Sequence, residues 1–326
     1  MNTDKPKDNS YLSAVKDISF QPIFIMGVQR SGTSILYKML QKTGYFTVTT
    51  AYHIIYFDEL LFNFHNEREI ETKKQFFDLL TVGEQQNRGI DELSVTPEFP
   101  EEYGFLLSRK TNHHYIDSSS LQFFTLLCKK VQYLSKNNNP ILLKNPFDFA
   151  NFIYIKKQFP QAKFVFIHRN PIHTLSSQLK AMKTLFDKKS IYMSLLSPWY
   201  NHVFQQGLLR KYYQLASCPK NPLRVHQLIT TFSHKAQYYM NNIEQLTELK
   251  DYVSIRYEDL CSHPQHTMET ILNFLGKNTI DTIDFSTFIK PRNLPVHKQI
   301  QRRKQKLRKN IQPYLSHLHY SLPNAD

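Results

Sequence analysis

Two segments far apart in the chain carry residue types suited to holding an anion. The first is Gly27-Val28-Gln29-Arg30-Ser31-Gly32-Thr33-Ser34. It keeps the G-x-x-x-x-G spacing of a nucleotide phosphate loop, yet Thr33 stands where such a loop carries its phosphate-reaching lysine. The cation has moved inside the loop, to Arg30. Arginine presents a planar fork of donors that stays charged at working pH and matches phosphate or sulfate oxygens. Ser31, Thr33 and Ser34 offer hydroxyls and backbone N–H groups to the same anion, and capping of the next helix is a compatible role. The loop therefore predicts binding of a phosphate-like group without the machinery of an ordinary ATPase. The second segment is His168-Arg169-Asn170-Pro171, followed by Ser176 and Ser177. Arg169 and Ser177, eight positions apart, can hold two oxygens of one phosphate. By itself Arg-Asn-Pro also makes a good turn.

The elements that must position these residues are legible in the apolar pattern. Pro22–Met26 reads as a strand and 34–42 as a helix, so the glycine turn between them points its N–H groups at one place, where the helix dipole adds positive potential. Ile141–Lys144 reads as a strand, Phe147–Phe159 as a helix closed by Pro160, and Lys163–His168 as a further strand. Strand, helix and strand in that order make a βαβ unit with a parallel sheet. A helix opens near Pro171, and helical patterns run through 180–249 with breaks at Pro198 and Pro219–Pro222. Tyr252–Arg256 reads as the last strand, and Pro264–Leu275 as a helix ended by Gly276. The stretch 49–127 has helical periodicity, many Phe and Tyr, and turns near Gly83, Gly89 and Pro97. Each apolar strand ends at polar residues: the loop after Met26, Lys144, Arg169, and Tyr257-Glu258-Asp259. Ligands of open parallel sheets sit beyond the carboxyl ends of the strands, so four segments converge on one crevice.

A chain of 326 residues with 41% apolar content suits one large α/β domain or two modest ones, and 24 Phe with 19 Tyr predict a bulky core. No apolar run is long enough to span a bilayer. Residues 1–19 are polar without an apolar signal region and read as a flexible leader to a domain over 20–326. Cys128, Cys218 and Cys261 are few and scattered, which favours a reducing, cytoplasmic setting over a disulfide framework or zinc cluster. A net charge of +14 favours anionic partners. Lys298, Arg302, Arg303, Lys304, Lys306, Arg308 and Lys309 crowd the segment 297–310 with no acidic residue among them. That segment reads as a solvated helix face, as the flank of an anion site, or as an attachment to nucleic acid or membrane.

Taken together, these motifs resemble those of sulfotransferases that use 3′-phosphoadenosine-5′-phosphosulfate (PAPS), in the tyrosylprotein and broad sulfotransferase-family branch. Pro22–Ser34 is similar to the family's 5′-phosphosulfate loop, and Lys163–Pro171 with Ser177 to its 3′-phosphate motif. Leu143-Lys144-Asn145-Pro146-Phe147, Arg256-Tyr257-Glu258-Asp259-Leu260 and Ile289-Lys290-Pro291-Arg292-Asn293-Leu294 are similar to further family segments. The resemblance implies a P-loop-type three-layer α/β fold, a central parallel sheet flanked by helices, with helical insertions at 49–140 and 180–250 forming the acceptor pocket. It also implies roles. Gln29, Arg30, Ser31, Gly32, Thr33 and Ser34 would hold the 5′-phosphosulfate. Arg169 and Ser177 would hold the 3′-phosphate, with Tyr257 near the adenine. Lys290 and Asn293 would reach the phosphate end, and Lys144 would lie by the sulfuryl group.

Sulfuryl transfer needs in-line positioning and cations where charge grows, and Arg30 with Lys144 can take the place of a metal ion. No metal is therefore expected. The acceptor must lose a proton, which calls for a base tuned towards neutral pH. Tyrosylprotein enzymes carry a glutamate downstream of the loop arginine, where this chain reads Thr49-Thr50-Ala51-Tyr52-His53. His53 is the expected base because imidazole titrates in the right range, although a lone histidine before an apolar helix is also a common structural residue. Asp58, Glu59 and Glu102 stand in reserve. The partners expected are PAPS and one acceptor, a protein tyrosine, small phenol, sugar or lipid headgroup, and no nucleic acid. Two other readings compete. A P-loop nucleotide or small-molecule kinase is disfavoured by Thr33 and by the lack of a Walker B strand, and a non-catalytic nucleotide-binding protein would follow from a missing base.

Overall fold

Alternation of large apolar side chains along one short run is what builds the centre of this molecule. The computed structural model describes residues 7–81, 94–289 and 295–321. Five strands form one parallel sheet: β1 (Pro22–Met26), β2 (Thr47–Val48), β3 (Ile141–Lys144), β4 (Lys163–His168) and β5 (Tyr252–Arg256), in the order β2-β3-β1-β4-β5. Successive strand residues face opposite sides. Phe24 and Met26 therefore enter one core with Phe124, Phe149 and Tyr239, while Ile23 and Ile25 enter the other with Leu36, Tyr37 and Met268. Helices Thr33–Lys42 and Pro264–Phe274 cover the second face, and Leu121–Ser135, Phe152–Gln158 and Pro222–Asn242 cover the first. Burial on both faces explains why β1, β3 and β4 read as continuous apolar runs. The fold is the expected α/β one, a parallel sheet between two helical layers.

Three features differ from expectation. β2 has two residues and lies at the sheet edge, too short to leave any periodic signal. The single helix expected over 147–159 is a 3₁₀ turn, Pro146–Ala150, followed by helix Phe152–Gln158. The break has a physical cause in the buried Asp148 carboxylate. It accepts hydrogen bonds from Tyr103 Oη (2.8 Å), Ile116 N (3.0 Å), Asn145 Nδ2 (2.8 Å) and Asn151 Nδ2 (2.7 Å), and Asn151 leaves helical geometry at φ −141°.

The third difference lies in the leader, where Lys7–Val15 is a 3₁₀ helix rather than a flexible end. Asp8 anchors it, accepting from Lys130 Nζ at 2.7 Å and from Phe62 N at 2.8 Å, with both members of the ion pair about 2% exposed. Lys130 also lies 4.1 Å from the Phe57 ring centroid and donates to the Phe57 carbonyl. Removing one member of a buried pair strands the other charge. Asp8→Ala is thus expected to lower unfolding stability by about 3–5 kcal/mol, read as a fall in the denaturation midpoint. An unchanged midpoint would mean that the 7–15 segment contributes nothing to the core.

The two insertions are helical as expected, including Ala51–Ile55, Leu60–His65, Glu69–Thr81 and Gly104–Thr111 in the first. Helices Ile191–Leu196, Pro198–Gln205 and Gly207–Ala216 lie in the second. The basic segment forms helices Lys298–Gln301 and Lys304–His317, the latter kinked at Ile311 before Pro313. Lys298, Arg302, Lys306, Arg308 and Lys309 face solvent, whereas Lys304 is buried. The turns expected near Gly83 and Gly89 lie outside the described residues, as do Lys290 and Asn293. Among the described residues no helix is long and apolar enough to cross a membrane.

Candidate active site

Where β1 ends, the chain makes a tight turn that only particular residues can follow. Ser31 N donates to Val28 O at 3.1 Å, and Arg30 adopts a left-handed conformation at φ 73°. Gly32, at φ 104°, precedes helix Thr33–Lys42 and offers it no side-chain cap. A helix start without a side-chain cap suits an anion at its first N–H groups. Gly32 is fixed by space as well as by φ, since a Cβ there would lie 2.3 Å from Tyr257 Cδ2. Ser31 Oγ is buried and has no hydrogen-bond partner among the described residues. A buried hydroxyl left in that state within such a turn is a ready donor for a ligand oxygen.

The second anion motif meets this turn. Arg30 Nε donates to Ser177 Oγ at 3.1 Å, and Arg169 Nη1 donates to the Arg30 carbonyl at 3.2 Å. The Arg169 guanidinium also stacks 4.6 Å from the centroid of Tyr257, the ring that presses on Gly32. Arg30, Gly32, Arg169, Ser177 and Tyr257 therefore form one contiguous group drawn from β1, β4 and β5 and the helix Pro171–Asp187. Ser176, beside Ser177, accepts from His297 N at 3.0 Å, which ties the start of the basic segment to this place.

A third group lies at the end of β3. Lys144 is fully buried, 2.6 Å from Glu102 Oε1 and 3.3 Å from Ser34 Oγ. Ser34 is in the first turn of the loop's helix, so Lys144 and the phosphate loop share a wall. Glu102 reaches it through a chain of contacts. Tyr37 Oη donates to Leu142 O (2.9 Å) and accepts from Thr49 N (3.1 Å), while Thr49 pairs with the Glu101 backbone at 3.0 Å. Glu101 in turn accepts from the Tyr192 hydroxyl and from Glu102 N. Nearby, the half-buried His114 stacks at 4.5 Å on Phe147, whose ring is partly exposed. Burial holds the His114 pKa below its usual value, with the charge of Glu102 opposing.

His53 is placed differently from its neighbours in the expected list. Its Nδ1 accepts from Thr50 N at 3.1 Å, and its own N–H donates to Thr50 Oγ1 at 3.3 Å, a reciprocal cap on helix Ala51–Ile55. Burial first, and the Lys73 cation second, push its pKa down to about 3. Its ring nitrogen is committed to the backbone, and the imidazole is a weak base. Asp58 is taken by Lys110 at 2.8 Å and Glu59 by Lys7 at 3.0 Å. Of the four candidate bases, Glu102 is the one paired with a strand-end residue of this site.

One residue escaped the sequence reading. Lys235, on helix Pro222–Asn242, places Nζ 3.4 Å from Gln29 Oε1 and 3.3 Å from Pro146 O, between the phosphate loop and the segment after β3. Burial pushes its pKa down to about 8, against the pull of Asp148. Its only sequence signal is a lysine directly beside the apolar stripe Phe232, Ala236 and Tyr239. Among the described residues no group of three or more His, Cys, Asp or Glu could hold a metal ion.

A profile described as the sulfotransferase family matches residues 22–281. The chain belongs to the sulfotransferase family. Its fold is similar to the crystal structure of sulfotransferase STF9 from Mycobacterium avium, with 14% identity, 97% of this chain and 82% of that one covered, and a TM-score of 0.62. It is also similar to sulfotransferase STF1 from Mycobacterium tuberculosis H37Rv, with 13% identity, 94% and 80% covered, and a TM-score of 0.54. Comparison with curated protein sequences gives no match.

Proposed function

We propose that this protein transfers the sulfuryl group of PAPS to a hydroxyl or amine acceptor without a metal ion. The observation that carries the reading is the junction of Arg30 with Ser177 and Arg169 around a loop whose buried Ser31 hydroxyl has no partner among the described residues. The phosphate loop, from Gln29 to Ser34, would hold the 5′-phosphosulfate, with Arg169 and Ser177 on the 3′-phosphate and Tyr257 facing the adenine. Lys290 and Asn293 complete the phosphate end in this proposal. PAPS supplies the activated sulfuryl group and a stable leaving group. The protein supplies position and charge.

Lys144 neutralises charge growing on the transferred group's oxygens, and Glu102 rather than His53 takes the acceptor's proton. The close pairing of the two favours this assignment. An anion bound against Ser34 competes with Glu102 for the Lys144 ammonium, and a carboxylate that loses its counter-ion becomes more basic. Three cysteines, all free, are in keeping with action in the cytoplasm.

Calorimetry with adenosine 3′,5′-bisphosphate tests the donor site. Binding is expected in the presence of a chelator, with preference over ATP. Affinity should hold steady between about pH 7 and 8, where Lys235 is protonated and the phosphates are fully ionised. It should fall above that range by up to about tenfold per unit, because binding then requires proton uptake by a lysine whose pKa burial has lowered. Binding that needs magnesium, or that favours ATP, would remove the sulfuryl-donor reading.

A further inference from the structure

Helix Gly207–Ala216 buries none of its residues. Its apolar side chains are nonetheless sorted by helical spacing, with Leu208, Tyr212 and Leu215 falling on one face. They are 86%, 62% and 73% exposed, so this apolar face points outward. Trp199, itself 49% exposed, extends the patch, meeting the Tyr213 ring at 5.1 Å, and Tyr213 meets Tyr212 at 5.3 Å. The platform beneath is firm. Arg210 donates to the carbonyls of Phe186 (3.3 Å) and Asp187 (2.6 Å), and Gln214 Nε2 to that of Phe186 (3.0 Å). These contacts seat the helix on the end of Pro171–Asp187, the element that carries Ser176 and Ser177.

The charge around this face is mainly positive, the adjoining Asp187 carboxylate being paired with Lys183 at 2.8 Å. From Lys188 to Ile243 the sequence contains no Asp or Glu, while Lys188, Lys189, Lys211 and Lys220 are exposed. We propose that the face carrying Trp199, Leu208, Tyr212 and Leu215 docks on an anionic lipid bilayer. Leucines enter the boundary between headgroups and acyl chains, Trp and Tyr rings settle at the interface, and lysines meet the anionic headgroups. The side chains protrude, which suits a deformable lipid layer better than a rigid protein surface. A second copy is a poorer occupant, since a two-fold contact would set these lysines against their own symmetry mates. The inference is independent of the donor chemistry proposed above.

Trp199 is the only tryptophan in the chain, so its emission reports on this patch alone. The intact protein is titrated with phosphatidylcholine vesicles, with and without phosphatidylserine. The expected result is co-sedimentation and a blue shift of Trp199 with the anionic vesicles only, weakened by added salt. Leu208→Gln with Leu215→Gln should reduce partitioning at least about tenfold while leaving the circular dichroism melt unchanged, since both side chains are exposed. No binding to anionic vesicles overturns the proposal, as does binding that the double variant retains. A dimer in vesicle-free sedimentation that the double variant abolishes overturns it in favour of a second copy.

Discussion

Arg30→Asn is expected to weaken adenosine 3′,5′-bisphosphate binding by about 10- to 100-fold, the loss of a charge-assisted hydrogen bond to an anion. Turnover should fall further, by about 10²–10³-fold, because a fixed donor stabilises developing charge more than ground-state charge. Asparagine is the informative replacement. Arg30 sits at φ 73°, a conformation that asparagine tolerates and alanine resists, so the variant removes the guanidinium without straining the loop. Calorimetry and transfer of labelled sulfate give the two readings. Affinity within twofold of the parent would mean that the loop arginine does not touch the donor.

Glu102→Gln should separate chemistry from binding. Glutamine keeps the shape and an acceptor for Lys144 but cannot take a proton. Turnover is expected to fall by about 10²–10⁴-fold, and bisphosphate affinity to change little. Some stability is lost as well, because Lys144 then sits buried without a counter-ion, and the drop in melting temperature measures it. His53→Ala is the matched control, expected to loosen a helix cap and leave turnover near normal. If instead the histidine variant is dead and the glutamine variant active, the base is His53.

Four of the five strands were legible to the residue: burial on both faces gives β1, β3 and β4 their apolar runs, and the half-buried edge strand β5 still carries Tyr252, Val253 and Ile255. β2 was not, since two residues at an edge carry no period. The convergence of Arg30, Lys144, Arg169 and Tyr257 could be anticipated from a topological rule, as each ends or follows a parallel strand. Contacts between distant elements were beyond reach. Lys235 looks from sequence like any helix lysine, and only packing brings it to Gln29. Asp8 pairs with Lys130 across most of the first insertion, and Asp148 breaks a helix that propensity alone would continue. His53 illustrates the opposite case. Its residue type suggested chemistry, and its environment assigned it to a backbone cap.

Gly32 is where the segments that follow β1 and β5 come into contact, through the lack of a single carbon. Tyr257 occupies the room a methyl group would need, and Arg169 lies flat on the ring's π system. Any side chain at position 32 must therefore evict an aromatic ring and unseat a guanidinium in one motion. The molecule's tolerance for variation thus drops to nothing at a residue that itself contributes no functional group.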